Sequence, residues 1–311
     1  MRICKMFSAI WKIDSLTEPA DGGRIRTIPS HASYLLATAL LGVTLSISAS
    51  AENFSSVAVF GYNYSGIVPS SAVVPYSSTA SSLDLGNDAL FQASLPGAAA
   101  GGLPANGMLG YTSGSNSYDF ALGPYGGLNL LRVDPSGTLS LADPTAYSTI
   151  AVLGFSTQNN SLGAIEMVGD VTLHFSDDSS SVYSDAVDLS DWFATNPGNA
   201  NKATSAAGGL INIGAANAAA AFEPTAGGPD FYVSDIDLTA GDAAKTLTSV
   251  TFDDFPDGGN GFQFVMALDG GTGPVSTVPE PPTWSLVALA MLVLFGIRAA
   301  RLRRAHACEL R

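Results

Sequence analysis

The sequence has little positive charge, few histidines and few cysteines. Its 311 residues carry 13 Lys/Arg against 27 Asp/Glu, which gives a formal net charge of −14 at pH 7. Most of the basic residues lie near the two ends of the chain, so that residues 52–283 hold only Arg132, Lys202 and Lys245. A central region this acidic repels nucleic acid and anionic lipid surfaces. We therefore expect no nucleic-acid partner.

The same central region lacks cysteine and contains a single histidine, His174. Nucleophilic catalysis requires a base beside the nucleophile, and protein zinc sites are built mainly from Cys and His. The chain has no G-x-S-x-G, P-loop, dinucleotide-binding or H-E-x-x-H pattern. The sequence therefore predicts a protein that is not an enzyme. A glycan hydrolase that uses two of the many Asp/Glu side chains is the catalytic alternative.

Long apolar runs are scarce, and the first of the two is Tyr34–Ile47. Basic residues precede this run, and small residues follow it up to Ala51. A basic segment, an apolar run and small residues at positions −3 and −1 are typical of a secretory signal peptide. Ala49 and Ala51 occupy those two positions. We predict that residues 1–51 are a signal peptide and that cleavage follows Ala51.

The second apolar run, Trp284–Ile297, predicts a single C-terminal transmembrane helix. Its 14 uncharged residues reach only about 21 Å as a helix, whereas a hydrocarbon core is roughly 30 Å thick. The span becomes long enough if Arg298 snorkels to one interface and Trp284 lies at the other. The arginines after the run place that end in the cytoplasm by the positive-inside rule. The predicted anchor residues are Trp284, Ile297, Arg298, Arg301, Arg303 and Arg304.

A proline-rich motif, Val278-Pro279-Glu280-Pro281, precedes the predicted helix. Proline fixes φ and lacks an N–H, so we expect an extended, accessible segment outside the membrane. This motif, the short apolar helix and the arginine cluster together resemble the PEP-CTERM sorting signal. The resemblance covers residues 278–304 and implies export, followed by processing near the motif by an exosortase-like enzyme at the inner membrane. It leaves open whether the protein stays anchored or is released, and residues 305–311 would form a short cytoplasmic tail.

Short alternating apolar runs fill residues 52–277, with Gly, Pro, Asn, Asp and Ser between them, and this pattern predicts an all-β sandwich. In Gly169–Phe175, the residues Val171, Leu173 and Phe175 share one face, and His174 lies on the other. After Leu247, the apolar residues change from one face of the predicted strand to the other, and this change of parity indicates a bulge or a strand end. The other predicted strands include Tyr118–Leu122, Leu128–Val133, Thr138–Leu141, Ile150–Phe155, Leu210–Ile213, Phe231–Leu238 and Phe262–Leu268.

The order of these segments resembles the jelly-roll domains related to galactose-binding and carbohydrate-binding modules. The resemblance is carried by Tyr118–Phe120, Gly127–Arg132, Thr138–Leu141, Tyr147–Ile150, Val171–Asp178 and Asp188–Phe193. It implies a jelly-roll-like β-sandwich, and extracellular polysaccharide becomes the candidate ligand.

Two candidate ligand sites follow from residue type. Asp253, Asp254, Asp257 and Asn260 place four oxygen-bearing side chains within eight residues, and hard oxygen ligands at such spacing suit Ca²⁺. An Asp-Gly-rich turn without a metal is the alternative. Trp192, the one tryptophan of the central region, is either a flat platform for a sugar ring or an apolar anchor in the core.

Together these patterns predict an exported, C-terminally sorted envelope protein with a non-catalytic β-sandwich. We expect the sandwich to lie outside the cytoplasm, held by one membrane-spanning segment or released after processing. Binding of extracellular polysaccharide is the predicted activity. A secreted glycan hydrolase and a purely structural matrix protein are the alternatives.

Overall fold

The computed structural model describes residues 52–98, 101–157, 168–193, 202–205, 209–223, 229–253 and 262–273. For residues 202–205 and residue 219, only the backbone is described.

Strands dominate these residues, as the alternating pattern predicts, and the protein is all-β. The short helical segments are a 3-10 turn at Tyr76–Ser78 and single α-helical turns at Ala218–Ala221 and Ala240–Ala243. The strands are β1 (Phe54–Val57), β2 (Val59–Phe60), β3 (Ile67–Val68), β4 (Asp88–Phe91), β5 (Met108–Ser113), β6 (Asn116–Ala121), β7 (Leu131–Val133), β8 (Ser136–Thr145), β9 (Thr149–Thr157), β10 (Val168–Phe175), β11 (Ser180–Asp188), β12 (Lys202–Ser205), β13 (Leu210–Asn212), β14 (Phe222–Glu223), β15 (Asp230–Asp237), β16 (Leu247–Asp253) and β17 (Phe262–Gly271).

Two antiparallel sheets form the body of the protein. The first has six strands in the order β1-β17-β9-β15-β12, with β7 also paired to β17. The second has five strands in the order β11-β10-β16-β8-β2. The eight strands β7–β11 and β15–β17 can be numbered one to eight in chain order. In these numbers the first sheet has the order 1-8-3-6 (β7-β17-β9-β15), and the second has the order 2-7-4-5 (β8-β16-β10-β11). Successive strands therefore cross repeatedly from one sheet to the other.

A single apolar core joins the two sheets. Residues of the first sheet, such as Ile150 and Phe264, belong to the same buried cluster as Leu139, Val250 and Phe252 of the second sheet. Side chains that alternate along each strand fill this core because successive residues of a strand point to opposite faces. The result is a two-layer arrangement of the kind that the sequence pattern predicts.

Local predictions for β10 and β16 are confirmed. Val171, Leu173 and Phe175 are buried, whereas Thr172 and His174 between them are half-buried. The register of β16 shifts between Leu247 and Ser249 against both of its neighbours, at the point where the sequence changes parity. In the turn after β10, the backbone amide of Ser179 donates a hydrogen bond to Asp177 Oδ1 at 3.1 Å.

A smaller sheet, in the order β14-β13-β4-β3, packs around a second apolar cluster. Its strands come from two distant parts of the chain, since Ile211 of β13 pairs with Ala89 of β4. The segment that contains β12–β14 is inserted between β11 and β15. Ala218–Ala221 forms a helical turn, and Asn217 Oδ1 caps it by accepting from the amide of Ala220 at 2.9 Å.

Candidate functional site

A row of side chains crosses the outer face of the first sheet, the face that points away from the second sheet. Asp235 on β15 pairs with Ala151 on β9, and Ala151 pairs with Asp269 on β17. Ser234 has the opposite parity, and its hydroxyl contacts the backbone of Asp188 on β11. Asp235 and Asp269 therefore point outward, with the small side chain of Ala151 between them.

The β5–β6 hairpin covers this row and brings aromatic rings to it. Tyr118 of β6 is 2% exposed, and its hydroxyl donates to Asp235 Oδ2 at 2.6 Å. Its ring centroid lies 4.4 Å from that of Phe54 and 5.7 Å from that of Tyr111, which stacks on it at an interplanar angle of 20°. Tyr111 is only half-buried. Burial and the Asp235 carboxylate both raise the pKa of Tyr118, so this hydroxyl stays protonated and donates.

Asp269 is the most deeply buried carboxyl group of the row, with no exposed surface. Its Oδ2 accepts from the amide of Asp119 at 2.7 Å, and its Oδ1 accepts from the amide of Gly270 at 2.9 Å. Burial raises the pKa of Asp269 to about 6, although the two amides oppose the shift. Asp269 therefore fastens the hairpin to the sheet and has no access to a ligand.

Two carboxylates next to this row share one hydroxyl group. Thr149 Oγ1 lies 2.9 Å from Glu52 Oε2 and 3.1 Å from Asp237 Oδ1. A hydroxyl group has one proton to donate, so it satisfies one of these oxygens at a time. Glu52 also accepts from the hydroxyl of Ser148. Asp237, which is exposed, thus keeps acceptor capacity for a ligand.

An open groove of about 730 Å³ lies between β11 and the second half of β15, and Asp235 and Asp237 form part of its wall. We call it the Asp235 groove. It exists because β12 pairs only with Asp230–Tyr232, so within the described residues no strand covers the rest of β15 on that side. Its lining residues are Ser181, Val182, Tyr183, Ser184, Asp185, Ala186, Asp235, Ile236, Asp237, Thr239 and Asp242.

A second, smaller concavity of about 100 Å³ adjoins the groove and shares Asp235 with it. We call it the tyrosine pocket. Its lining residues are Tyr111, Ser113, Asn116, Tyr118, Val233 and Asp235. Asp235 therefore stands where the groove meets the stacked tyrosine pair. Desolvation is the main cause that raises the pKa of Asp235, and the Tyr118 hydroxyl opposes it by stabilising the charged form.

One wall of the groove is braced by Asp242. Its carboxylate accepts from the hydroxyls of Ser181 and Tyr183 at 2.9 Å each and from Thr239 Oγ1 at 3.0 Å. Burial acts to raise the pKa of Asp242, but these hydrogen bonds outweigh it and hold that pKa below its ordinary value. Lys245 Nζ lies 3.4 Å from Asp242 Oδ1 and completes the brace. Asp242 is thus a structural residue of the wall.

The predicted sugar platform at Trp192 lies in the core instead. Trp192 is 2% exposed, and its indole stacks on Phe155 with ring centroids 5.3 Å apart and an interplanar angle of 6°. A ring covered in this way presents no free face to a pyranose. The structure supports the other alternative, an apolar anchor, which follows β11 in the sequence and packs against Phe155 of β9.

The predicted calcium site is described only at Asp253, at the end of β16, where Thr172 Oγ1 lies 3.4 Å from Asp253 Oδ2. Asp254, Asp257 and Asn260 lie outside the described residues. Within the described ranges, no three His, Cys, Asp or Glu side chains are grouped so that they could hold a metal ion. Calcium binding at this loop stays a prediction.

The other sequence-predicted sites fall outside the described residues. These are the signal-cleavage residues Ala49 and Ala51, the sorting motif Val278, Pro279, Glu280 and Pro281, and the anchor residues Trp284, Ile297, Arg298, Arg301, Arg303 and Arg304. Helices within the described part of the chain are all too short or too polar to traverse a bilayer.

His174 lies on the solvent side of the second sheet. A ring nitrogen, Nε2, is 2.9 Å from Thr251 Oγ1 on the neighbouring strand. The contact is one between cross-strand neighbours, and it does not join His174 to a nucleophile and a carboxylate. His174 is also absent from the lining of the Asp235 groove.

No sequence motif singled out the residues that form the groove and the pocket. Asp235 and Asp237 carried a signal, because they alternate with buried residues in the predicted strand Phe231–Leu238. Tyr111 and Tyr118 carried none, since nothing local indicates that a hairpin more than 100 residues earlier would fold over this strand.

Comparison with known proteins adds no assignment. No protein-family model matches the chain, and neither a curated protein nor a solved structure shows significant similarity to it.

Proposed function

We propose that the chain is an exported, C-terminally sorted envelope protein whose jelly-roll-like β-sandwich binds extracellular polysaccharide without cleaving it. The observation that carries the proposal is the Asp235 groove, which lies open along one edge of the sandwich and ends beside a stacked pair of tyrosines. An open groove lined by polar side chains suits an extended polymer better than a small molecule, which binds preferentially in an enclosed pocket.

The strand order supports the jelly-roll part of the proposal. An eight-stranded jelly roll folds as two Greek keys in two sheets. In that topology one sheet has the order 1-8-3-6 and the other 2-7-4-5, the orders given above for β7–β11 and β15–β17. The groove then lies between the fifth and sixth strands, where the chain passes from one sheet to the other.

The chemistry of the groove supports a sugar ligand. Carboxylates accept hydrogen bonds from sugar hydroxyls, and Asp185, Asp235 and Asp237 line the groove. Apolar C–H faces of a sugar ring pack on aromatic or aliphatic side chains. Tyr111 offers a half-buried ring, and Val182 is 62% exposed. The groove and the adjoining tyrosine pocket together offer the two kinds of contact that a polyhydroxylated ring requires.

Export and sorting are supported by the sequence at the two ends of the chain. The signal-peptide pattern and the PEP-CTERM-like segment imply passage across the inner membrane and processing by an exosortase-like enzyme. Mass spectrometry of the mature protein tests both predictions. We expect an N-terminus at Glu52 and, after processing, a C-terminus near Pro279–Pro281. A mature protein that retains residues 1–51 would contradict the export prediction.

A glycan array probed with the full chain in detergent tests polysaccharide binding. We expect binding to a subset of glycans and its loss in Tyr111→Ala, which removes a half-buried ring of the tyrosine pocket. Phe60→Ala is the matched control, because Phe60 is 59% exposed and lies on β2, at the other edge of the second sheet. Loss of binding in both variants, or in neither, would place the site elsewhere.

The same experiment separates the alternatives. A structural matrix protein would bind no glycan on the array. A hydrolase would release new reducing ends from a bound polysaccharide, and Asp235→Asn would abolish that release. We expect binding without release.

A further inference from the structure

We infer that the polysaccharide bound in the Asp235 groove is cationic, with amino sugars whose amines are protonated. This inference rests on the proposed function and specifies the ligand class for the same groove.

The wall of the groove carries several carboxylates. Asp185, Asp235 and Asp237 line one continuous concavity, and all three belong to strand segments that the β-sandwich holds in place. The backbone of Asp185 is held by its own amide, which donates to Asp170 Oδ1 at 2.9 Å. Asp235 is held by Tyr118, and Asp237 is contacted by Thr149. The two strands therefore hold the backbones of these three residues at fixed positions along the groove.

Among the described side chains, no cation forms an ion pair with these three carboxylates. Arg132 forms an ion pair with Asp134 at 3.0 Å and lies over the ring of Phe262 at 4.1 Å, away from the groove lining. Lys245 is engaged by Asp242. Neither ion pair of the described part of the chain involves Asp185, Asp235 or Asp237.

The groove and the tyrosine pocket suit the chemistry of an amino-sugar polymer. Protonated amines recur along such a polymer and can meet carboxylates spaced along a groove, while ring C–H faces contact Tyr111 and Val182. A uronic-acid polymer would bring its own carboxylates against those of the wall, and such juxtaposed like charges are unfavourable. A neutral polymer would make the apolar and hydroxyl contacts but leave the carboxylates without cations.

The expected preference is modest because the carboxylates are exposed to solvent. Exposed ion pairs each contribute little, so two or three of them amount to about a tenfold change in affinity, or about 1.4 kcal/mol. Added salt should reduce this preference, since surface charges are screened.

The test compares three probes on the full chain in detergent, at weakly acidic pH and low salt. They are a glucosamine hexamer, its N-acetylated counterpart and a galacturonic acid hexamer. We expect the glucosamine hexamer to bind about tenfold more tightly than the N-acetylated one, and the galacturonic acid hexamer not to bind. In the double variant Asp235→Asn and Asp237→Asn, which keeps an acceptor oxygen at each position, the preference should disappear. Asp143→Asn, which removes one exposed carboxylate on β8 of the second sheet, is the control and should retain the preference.

The outcomes distinguish this inference from the proposed function. Equal affinity for the glucosamine and N-acetylated hexamers, or tighter binding of the galacturonic acid hexamer, overturns the inference while polysaccharide binding stands. A preference that survives the double variant also overturns it, because the carboxylates would not be its cause. If the hexamers and the glycan array all fail to bind, the proposed function itself is refuted.

Discussion

Asp269 carries a carboxyl group without any exposed surface, and its replacement by asparagine tests the electrostatics of the outer face. Burial raises the pKa of this carboxyl from 3.8 to about 6. Between about pH 4 and pH 6, the folded protein therefore holds a proton that the unfolded chain has released. Stability falls with rising pH wherever the folded state binds more protons. The contribution of Asp269 is thus fully present below about pH 4 and is lost by about pH 6.

The size of the effect follows from the difference between the two pKa values. Each pKa unit corresponds to about 1.4 kcal/mol, so the shift predicts a loss of about 1 to 3 kcal/mol in the free energy of unfolding across this pH window. Asp269→Asn does not titrate and lacks this loss. In this variant, the side-chain NH₂ group faces one of the two backbone N–H groups from which Asp269 accepts a hydrogen bond, so that two donors oppose each other. That conflict lowers the stability of the variant by a constant amount, about 1 to 3 kcal/mol, at every pH.

Urea denaturation of the full chain in non-ionic detergent, followed by far-ultraviolet circular dichroism, measures both terms. The stability of the wild type minus that of Asp269→Asn should fall by about 1 to 3 kcal/mol from about pH 4 to pH 7. Asp143→Asn, an exposed carboxyl, should show no such change. A difference that stays constant for Asp269→Asn, or that rises with pH, would refute the reasoning that burial dominates at this site.

Gly154→Ala and Trp192→Ala test the packing of the sandwich by the same denaturation assay, and Gly126→Ala is the control for the first. A Cβ atom on Gly154 would lie 2.5 Å from the backbone oxygen of Phe264, so Gly154→Ala should destabilise the protein by about 1 to 3 kcal/mol. A Cβ atom on Gly126 would have no atom within 4 Å, so Gly126→Ala should change the free energy of unfolding by less than about 0.5 kcal/mol. Equal losses of stability in Gly154→Ala and Gly126→Ala would contradict the tight fit at β9. Trp192→Ala removes an indole that is 2% exposed and should cost about 3 to 5 kcal/mol. A loss below about 1 kcal/mol would show that Trp192 is not a core anchor.

Local sequence pattern predicted several elements well because their signals lie within one strand. The alternation around Leu173 and the parity change after Leu247 both appear in the structure as expected. Each depends on which side of a strand a residue faces, and a period of two encodes that directly. In the small sheet, β13 falls within the predicted strand Leu210–Ile213. Its pairing with β4 gave no signal, because the two strands meet across more than 100 residues.

Trp192 shows where residue type alone is ambiguous. Its flat apolar ring and its sequence neighbours suited both a sugar platform and a core anchor, and only the burial of the ring distinguishes these roles. Burial depends on what the rest of the chain brings to the indole, and here Phe155 of β9 covers it. No pattern around residue 192 contains that information.

The sequence by itself determined the all-β class, the acidity of the central region and the faces of its clearest strands. These properties follow from composition and from the two-residue period of a strand, and both are local. Only the tertiary structure forms the groove and the tyrosine pocket. It brings Tyr118 into contact with Asp235, which lies 117 residues away in the sequence. It also decided which carboxyl groups are buried and which are available, since strand register and hairpin packing set their access to water.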